Sequence, residues 1–280
     1  MAPVDVVNIR RVLIGFASNA TAADDAIATA AELASLLGAE LTGLFVEDEL
    51  LFDAATLPWL RAIEPGRLIW QALNAAELAQ SHALAARALE RLLLGKAAAF
   101  GVAAAFQVVR GDPATALALR AEPTDLLVIA EPADPIARAL HQSQVLNAIG
   151  QTSATVLYVP HGAHRRGGPV VALARKASDP ALKLAAAVAR ALNERLIVVA
   201  METSAEQEIA VAARSSMDGE CITLRLDAST AVGWLDAVSR TLSAYRERLI
   251  VVDRGTRGEA LPEYLRLASD RAVSLLLAPG

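Results

Sequence analysis

The sequence predicts an α/β protein of two tandem domains, each a five-stranded parallel sheet with flanking helices. Three observations point there. Short apolar runs rich in Val, Ile and Leu alternate with longer Ala/Leu-rich stretches of helical period, which is the pattern of βαβ units. The order of these units occurs twice: strands at 12–16 and 41–46 recur at 170–174 and 196–201, and 125–130 matches 248–253. The composition is 54% hydrophobic but only 4% aromatic, dominated by Ala, Leu and Val, which suits helices packed on both faces of a buried parallel sheet.

In the first copy the strands fall at 12–16, 40–46, 105–109, 125–130 and 155–160, separated by helices near 20–37, 70–99, 112–122 and 143–151. Asp112-Pro113 after Gly111 marks a helix start: Asp accepts orphan backbone N–H bonds, and Pro suits the first turn, where no N–H is needed. The second copy repeats the order in shorter form, with strands at 170–174, 195–201, 221–226, 248–253 and 273–278 and helices near 179–193, 205–214, 229–246 and 260–270. Between them His161-Gly-Ala-His-Arg-Arg-Gly-Gly168 is polar and glycine-rich, as a connection should be. The expected boundaries are 1–162 for the first domain, 163–168 for the linker and 169–280 for the second domain.

The bulk numbers exclude several classes. At 280 residues the chain suits two domains that each bury a core. A formal charge of -5, with no Lys/Arg-rich arm, leaves no footprint for nucleic acid. A single cysteine, Cys221, cannot form an internal disulfide or a thiolate cluster, and its place in Cys221-Ile-Thr-Leu-Arg-Leu226 reads as a buried strand residue. His161 and His164 lie beside Arg165 and Arg166 with no carboxylate nearby, so no metal site is expected. No apolar run approaches the ~18 residues of a bilayer span, and no basic-then-apolar leader opens the chain. The expectation is a soluble, cytoplasmic protein.

One segment has no counterpart in the second copy. Glu47-Asp-Glu-Leu-Leu-Phe-Asp-Ala-Ala-Thr-Leu-Pro-Trp-Leu-Arg61, continuing to Trp70, inserts at 48–70 and combines three consecutive acids with Phe52, Leu57, Trp59 and Leu60. A segment this apolar must cover its own domain, the other domain, a second subunit or a ligand. Leu57, Trp59, Leu60 and Trp70 are the candidates for a partner contact, because aromatic anchors are enriched at interfaces.

Val12-Leu-Ile-Gly-Phe, Leu33-Ala-Ser-Leu-Leu-Gly-Ala-Glu-Leu-Thr-Gly-Leu-Phe-Val-Glu47, Gly111-Asp-Pro-Ala and Asp125-Leu-Leu-Val-Ile, in that order and spacing, resemble the universal stress protein family. The resemblance covers most of 9–160 and, more faintly, 169–279. It implies the adenine-nucleotide hydrolase-like fold and, in one branch of the family, ATP binding. That branch places an Asp after the first strand and follows the fourth with Gly-x-x-Gly and, downstream, Gly-Ser or Gly-Thr. Glycines let backbone N–H groups approach phosphate, and the Ser or Thr opens a helix whose positive end faces the anion.

Neither copy keeps the pattern. In the first, Ala17 stands where the Asp would be, and the loop reads Ala130-Glu-Pro-Ala-Asp-Pro-Ile-Ala-Arg-Ala-Leu-His-Gln-Ser143. Two prolines remove N–H donors there, and Glu131 and Asp134 would repel a triphosphate; Ser143 is expected to cap the following helix. In the second copy Gly255-Thr-Arg-Gly258 supplies paired glycines, but Ala268-Ser269 falls too close to the last strand to open a helix. Lys176 replaces the Asp, within Arg175-Lys-Ala-Ser-Asp-Pro180, and Arg254 and Arg257 add positive charge at the sheet edge.

The sequence therefore reads as a non-catalytic protein acting through protein contacts in stress response or regulation, without ordinary ATP binding. The alternative is a stress protein binding ATP or ADP through Gly255, Gly258, Lys176, Ser178 and Arg254. A catalytic constellation is missing: there is no Gly-x-Ser-x-Gly elbow, Walker loop or His-Glu-x-x-His pair. The last strands at 155–159 and 273–278 are apolar enough to pair with each other across a pseudo-two-fold axis, which leaves other surfaces for a homodimer.

Overall fold

The computed structural model describes residues 9–16, 23–57, 59, 61–63, 70–72, 74–133, 135–163, 165, 167–217, 219–226, 233–255 and 260–279, with the backbone alone at 23, 62–63, 70–72, 135–137 and 139–141. The first half runs β1 (Arg11–Phe16), α1 (Ala23–Leu37), β2 (Glu40–Asp48), α2 (Glu49–Ala54), β3 (Arg61–Ile63), β4 (Trp70–Ala72), α3 (Ala75–Ala99), β5 (Ala104–Gly111), α4 (Pro113–Arg120), β6 (Asp125–Ala130), α5 (Pro135–Gln151) and β7 (Thr155–Val159). The second runs β8 (Val170–Ala174), α6 (Pro180–Leu192), β9 (Leu196–Ala200), α7 (Glu206–Ser216), β10 (Cys221–Arg225), α8 (Trp234–Thr241), β11 (Leu249–Asp253), α9 (Leu261–Arg271) and β12 (Ser274–Ala278).

The two halves share one ten-stranded sheet, ordered β10-β9-β8-β11-β12-β7-β6-β1-β2-β5. Within this sheet every pairing inside a half is parallel, while β12 meets β7 antiparallel, Leu276 opposite Leu157. That single antiparallel joint relates the halves by a pseudo-two-fold axis through the seam, so the expected pairing of the two last strands is what the chain does. Side chains alternate between two cores, as the strand period requires. One core lies under α1, α3, α6 and α7, the other under α4, α5, α8 and α9.

Local chemistry sets the helix ends. The Asp112 side chain accepts from Thr115 N at 2.8 Å with Pro113 in the first turn, and Asp179 with Pro180 does the same for α6, accepting from Ala181 N at 2.9 Å. Three expected boundaries are corrected. The helix placed at 143 begins at Pro135, because a proline in the first turn is tolerated and nothing from 136 to 149 breaks the helix, so Ser143 lies mid-helix and opens nothing. The helix placed at 70 begins at Ala75, capped by Asn74, and the chain before it forms the β3–β4 hairpin, Ile63 opposite Trp70. The helix expected over 229–246 covers 234–241 among the described residues: Arg271 donates to the carbonyls of Ser239 (3.2 Å) and Leu242 (2.9 Å) and closes its end.

In the connection, Arg165 and Gly168 are docked rather than solvated. Arg165 donates to the Glu247 and Arg271 carbonyls, both at 2.7 Å, and Gly168 N donates to Glu194 Oε1 at 3.1 Å. Gly168 has φ +129, and a Cβ there would stand 2.2 Å from the Arg246 carbonyl oxygen, so no other residue fits. Beneath it the Glu247 carboxylate is fully buried and paired with Arg271. No helix among the described residues is long and apolar enough to cross a membrane.

Candidate functional site

In an open parallel sheet, ligands bind beyond the carboxyl ends of the strands where the strand order reverses. In this chain those points are the mouths between β1 and β6 and between β8 and β11. In the second mouth Lys176 and Ser178 are exposed on the turn leaving β8. Below them Asp179 is buried, held by the backbone N–H groups of Arg175 (3.1 Å) and Ala181. Across the mouth the Asp253 carboxylate accepts from Gly255 N at 3.1 Å, and Gly255 takes φ +68, a conformation that glycine adopts without strain.

The electrostatics of this mouth are mixed. Burial pushes the Asp179 carboxyl above its ordinary range; two backbone hydrogen bonds oppose that shift, Asp253 reinforces it and Lys176 opposes it. Tyr264, in the first turns of α9, packs edge-on against Trp234 at 5.1 Å and has its pKa raised by burial, with Arg175 pulling it back. Trp234 Nε1 donates to Glu263. Two cations, Arg175 and Lys176, therefore stand beside two carboxylates, Asp179 and Asp253, and the α9 N-terminus carries Pro262 in its first turn and no side-chain cap.

Arg254 is committed elsewhere. Its Nη1 donates to the carbonyls of Ile149 (2.9 Å) and Thr152 (2.7 Å), at the end of α5 in the other half, and burial lowers its pKa. The residue in the same position of the first half, directly after β6, is Glu131. It is buried, accepts from Ser269 Oγ at 3.2 Å and from His161 N at 2.9 Å, and lies 3.4 Å from Arg138. Ser269 sits in the last turn of α9, with the Tyr158 hydroxyl 3.4 Å away. Each half thus uses the residue after its fourth strand to grip the final helix of the other half, with an acid in one direction and a base in the other.

The inserted segment forms a separate surface at the carboxyl ends of β2 and β5. Phe52 of α2 is buried edge-on against His82 (5.1 Å), and the Arg110 guanidinium lies 4.1 Å above its ring while pairing with Glu47 at 3.0 Å. This part of the insertion covers its own half. Three of its described apolar residues face outward: Leu50 and Trp59 are each 73% exposed and Leu57 is 38% exposed. Of the candidate residues, Gly258 and Leu60 lie outside the described residues, as do Ala17, Asp134, His164, Arg166 and Arg257, and so does the Trp70 side chain. Cys221 is half-buried on edge strand β10, less enclosed than its sequence suggests, and burial raises its thiol pKa.

No protein-family model matches the sequence, and no curated protein is similar to it. Solved structures do match. A universal stress protein from Archaeoglobus fulgidus DSM 4304 superposes with a TM-score of 0.65 over 98% of this chain and 97% of its own length, at 12% identity. The chain has the universal stress protein fold. A universal stress protein in complex with cAMP matches 55% of this chain and 99% of its own, at 19% identity and a TM-score of 0.39.

Within the universal stress fold, sequence reasoning missed the carboxylate at Asp179 and the grip of Glu131 and Arg254. The first was readable, since Asp179-Pro180 repeats the Asp112-Pro113 helix start. The second was not, because its partners lie more than a hundred residues away along the chain.

Proposed function

We propose that this protein is a non-catalytic member of the universal stress group, acting through protein contacts in stress response or regulation, without ordinary ATP binding. The observation that carries the reading is the use of the fourth-strand loops. A phosphate cradle needs free backbone donors and glycine at this point of the fold. Here the loop residues Glu131 and Arg254 are spent on the opposite half, and Pro132 and Pro135 supply no N–H. The second mouth sets Asp179 and Asp253 where an anion would enter, which disfavours a triphosphate at the several-ångström range over which charges act. Exposed Leu57 and Trp59, carried beside a firmly seated α2, support a protein partner as the working contact.

A second reading, a nucleotide- or anion-binding stress protein, is supported by exposed Lys176 and Ser178 beside the left-handed Gly255. Titration calorimetry of the full chain with ATP, ADP, AMP and inorganic phosphate separates the two. The expected result is no binding up to millimolar ATP. Micromolar binding that is lost on Lys176→Ala would replace the proposed function with the nucleotide reading.

A further inference from the structure

The helical layer over α1 and α6 has a feature that neither mouth uses. These helices are pseudo-symmetric: β1 and β8 pair in matching register with β6 and β11, Val12 with Leu126 and Val170 with Leu249. Counting back from the next strands, Leu41 and Leu196, places Leu33 with Val188, Leu36 with Ala191 and Leu37 with Leu192. All six line one wholly apolar cleft astride the seam, floored by Leu157 and Leu276. Its volume is about 20 Å³, room for about one water molecule and far below the ~300 Å³ of a small-molecule pocket. Leu36 is nonetheless 42% exposed on its rim. The shape suits a surface rather than a ligand.

Charge identifies the surface. The outer face of α1 carries Asp25 and Glu32, and that of α6 carries Lys183 and Arg190. Each pair is spaced by about two helical turns (25 and 32; 183 and 190). Between them lie Ala28, Thr29 and Ala187, small enough for a second helix layer to approach. Asp25 and Lys183 are exposed, whereas Glu32 and Arg190 are partly buried: Glu32 also pairs with Arg248 at 2.8 Å, and Arg190 Nε donates to Ala186 O at 3.4 Å. Because α1 and α6 are related by the pseudo-two-fold, they run antiparallel. A second copy can be laid on this face about an axis parallel to the helices, which sets α1 on α6, or about one across them, which sets acid on acid.

We propose that the chain forms an isologous homodimer through the α1–α6 face, with α1 antiparallel to the partner subunit's α6. Asp25 then meets the partner subunit's Arg190, Glu32 meets the partner subunit's Lys183, and Leu36 enters the apolar cleft of the partner. The layer α3, α1, α6, α7 is four helices wide at about 10 Å spacing and about 20 Å long, close to the ~800 Å² per partner of a stable interface. The surface shares no residue with the Leu57–Trp59 patch or with either mouth, so it stands whether or not the proposed function does.

Sedimentation velocity on the full chain tests it. The wild type is expected to be a dimer at micromolar concentration, weakening as salt rises. Leu36→Glu should raise the dissociation constant by about tenfold or more, which is about 1.4 kcal/mol, with an unchanged circular dichroism spectrum. Asp25→Arg and Arg190→Asp should each weaken the dimer, and the double variant D25R/R190D should recover it, because both partners exchange signs together. The charge variants keep the test sharp should Leu36→Glu disturb folding. A monomeric wild type, or a dimer whose affinity ignores these charge changes, would overturn the proposal.

Discussion

His82 shows how much one buried side chain decides. It lies on α3 with its ring edge-on to Phe45 at 5.8 Å and to Phe52 at 5.1 Å, and its Nδ1 has no hydrogen-bond partner. Burial pushes its pKa below the ordinary 6.5; Glu47 opposes that shift, Arg110 adds to it and Asp48 opposes it. The unfolded chain therefore takes up a proton near pH 6.5 that the folded chain resists. The stabilisation is complete above pH 6.5 and is lost as the pH falls from there through the folded-state value. In His82→Leu, which cannot take up that proton, the melting temperature should fall less on acidification across pH 6.5 than in the wild type. Equal slopes in thermal denaturation would mean that His82 takes up its proton at the same pH in the folded and unfolded chains, so that burial does not hold it neutral. A histidine with no sequence-local partner gives no hint of this, because both aromatic neighbours are brought by tertiary packing.

Elements were legible where a cap or a strand pattern is local, and illegible where a sequence signal has two meanings. The strands at 125–130 and 155–159 and the helix start at Asp112 follow directly from apolar runs and an Asp-Pro pair. The α5 start did not, because Pro132 and Pro135 read as loop, whereas Pro135 occupies a first-turn position that needs no N–H. The β3–β4 hairpin was hidden as well: three-residue strands are too short to show a period. The corrected α5 carries its own test. With the helix running Pro135–Gln151, Ser143→Pro removes a mid-helix donor and should cost about 3 kcal/mol or more. If the helix opened at 143, the same proline would be tolerated, and an unchanged urea midpoint would restore the shorter helix.

At the scale of the whole molecule, the tandem was evident from repetition, but the way the copies are fused was not. Composition cannot show that Glu131 reaches Ser269 or that Arg254 reaches Ile149 and Thr152; these contacts exist because the antiparallel β7–β12 joint carries each final helix to the other half's fourth strand. At both loops the position that reaches across the joint carries a long side chain, Glu131 in one and Arg254 in the other, since a residue that must grip cannot be glycine. Arg165 of the connection, on the carbonyls of Glu247 and Arg271, adds a further tie. The two halves should therefore unfold as one unit, although each is large enough to hold a core.

Differential scanning calorimetry of the wild type beside Arg254→Ala tests that claim most directly. One transition with equal calorimetric and van't Hoff enthalpies is expected for the wild type, and a lower, broader or split transition for the variant. Two resolved transitions in the wild type, or a variant indistinguishable from it, would show that the fourth-strand loops do not hold the halves together and would reopen them as candidate ligand sites.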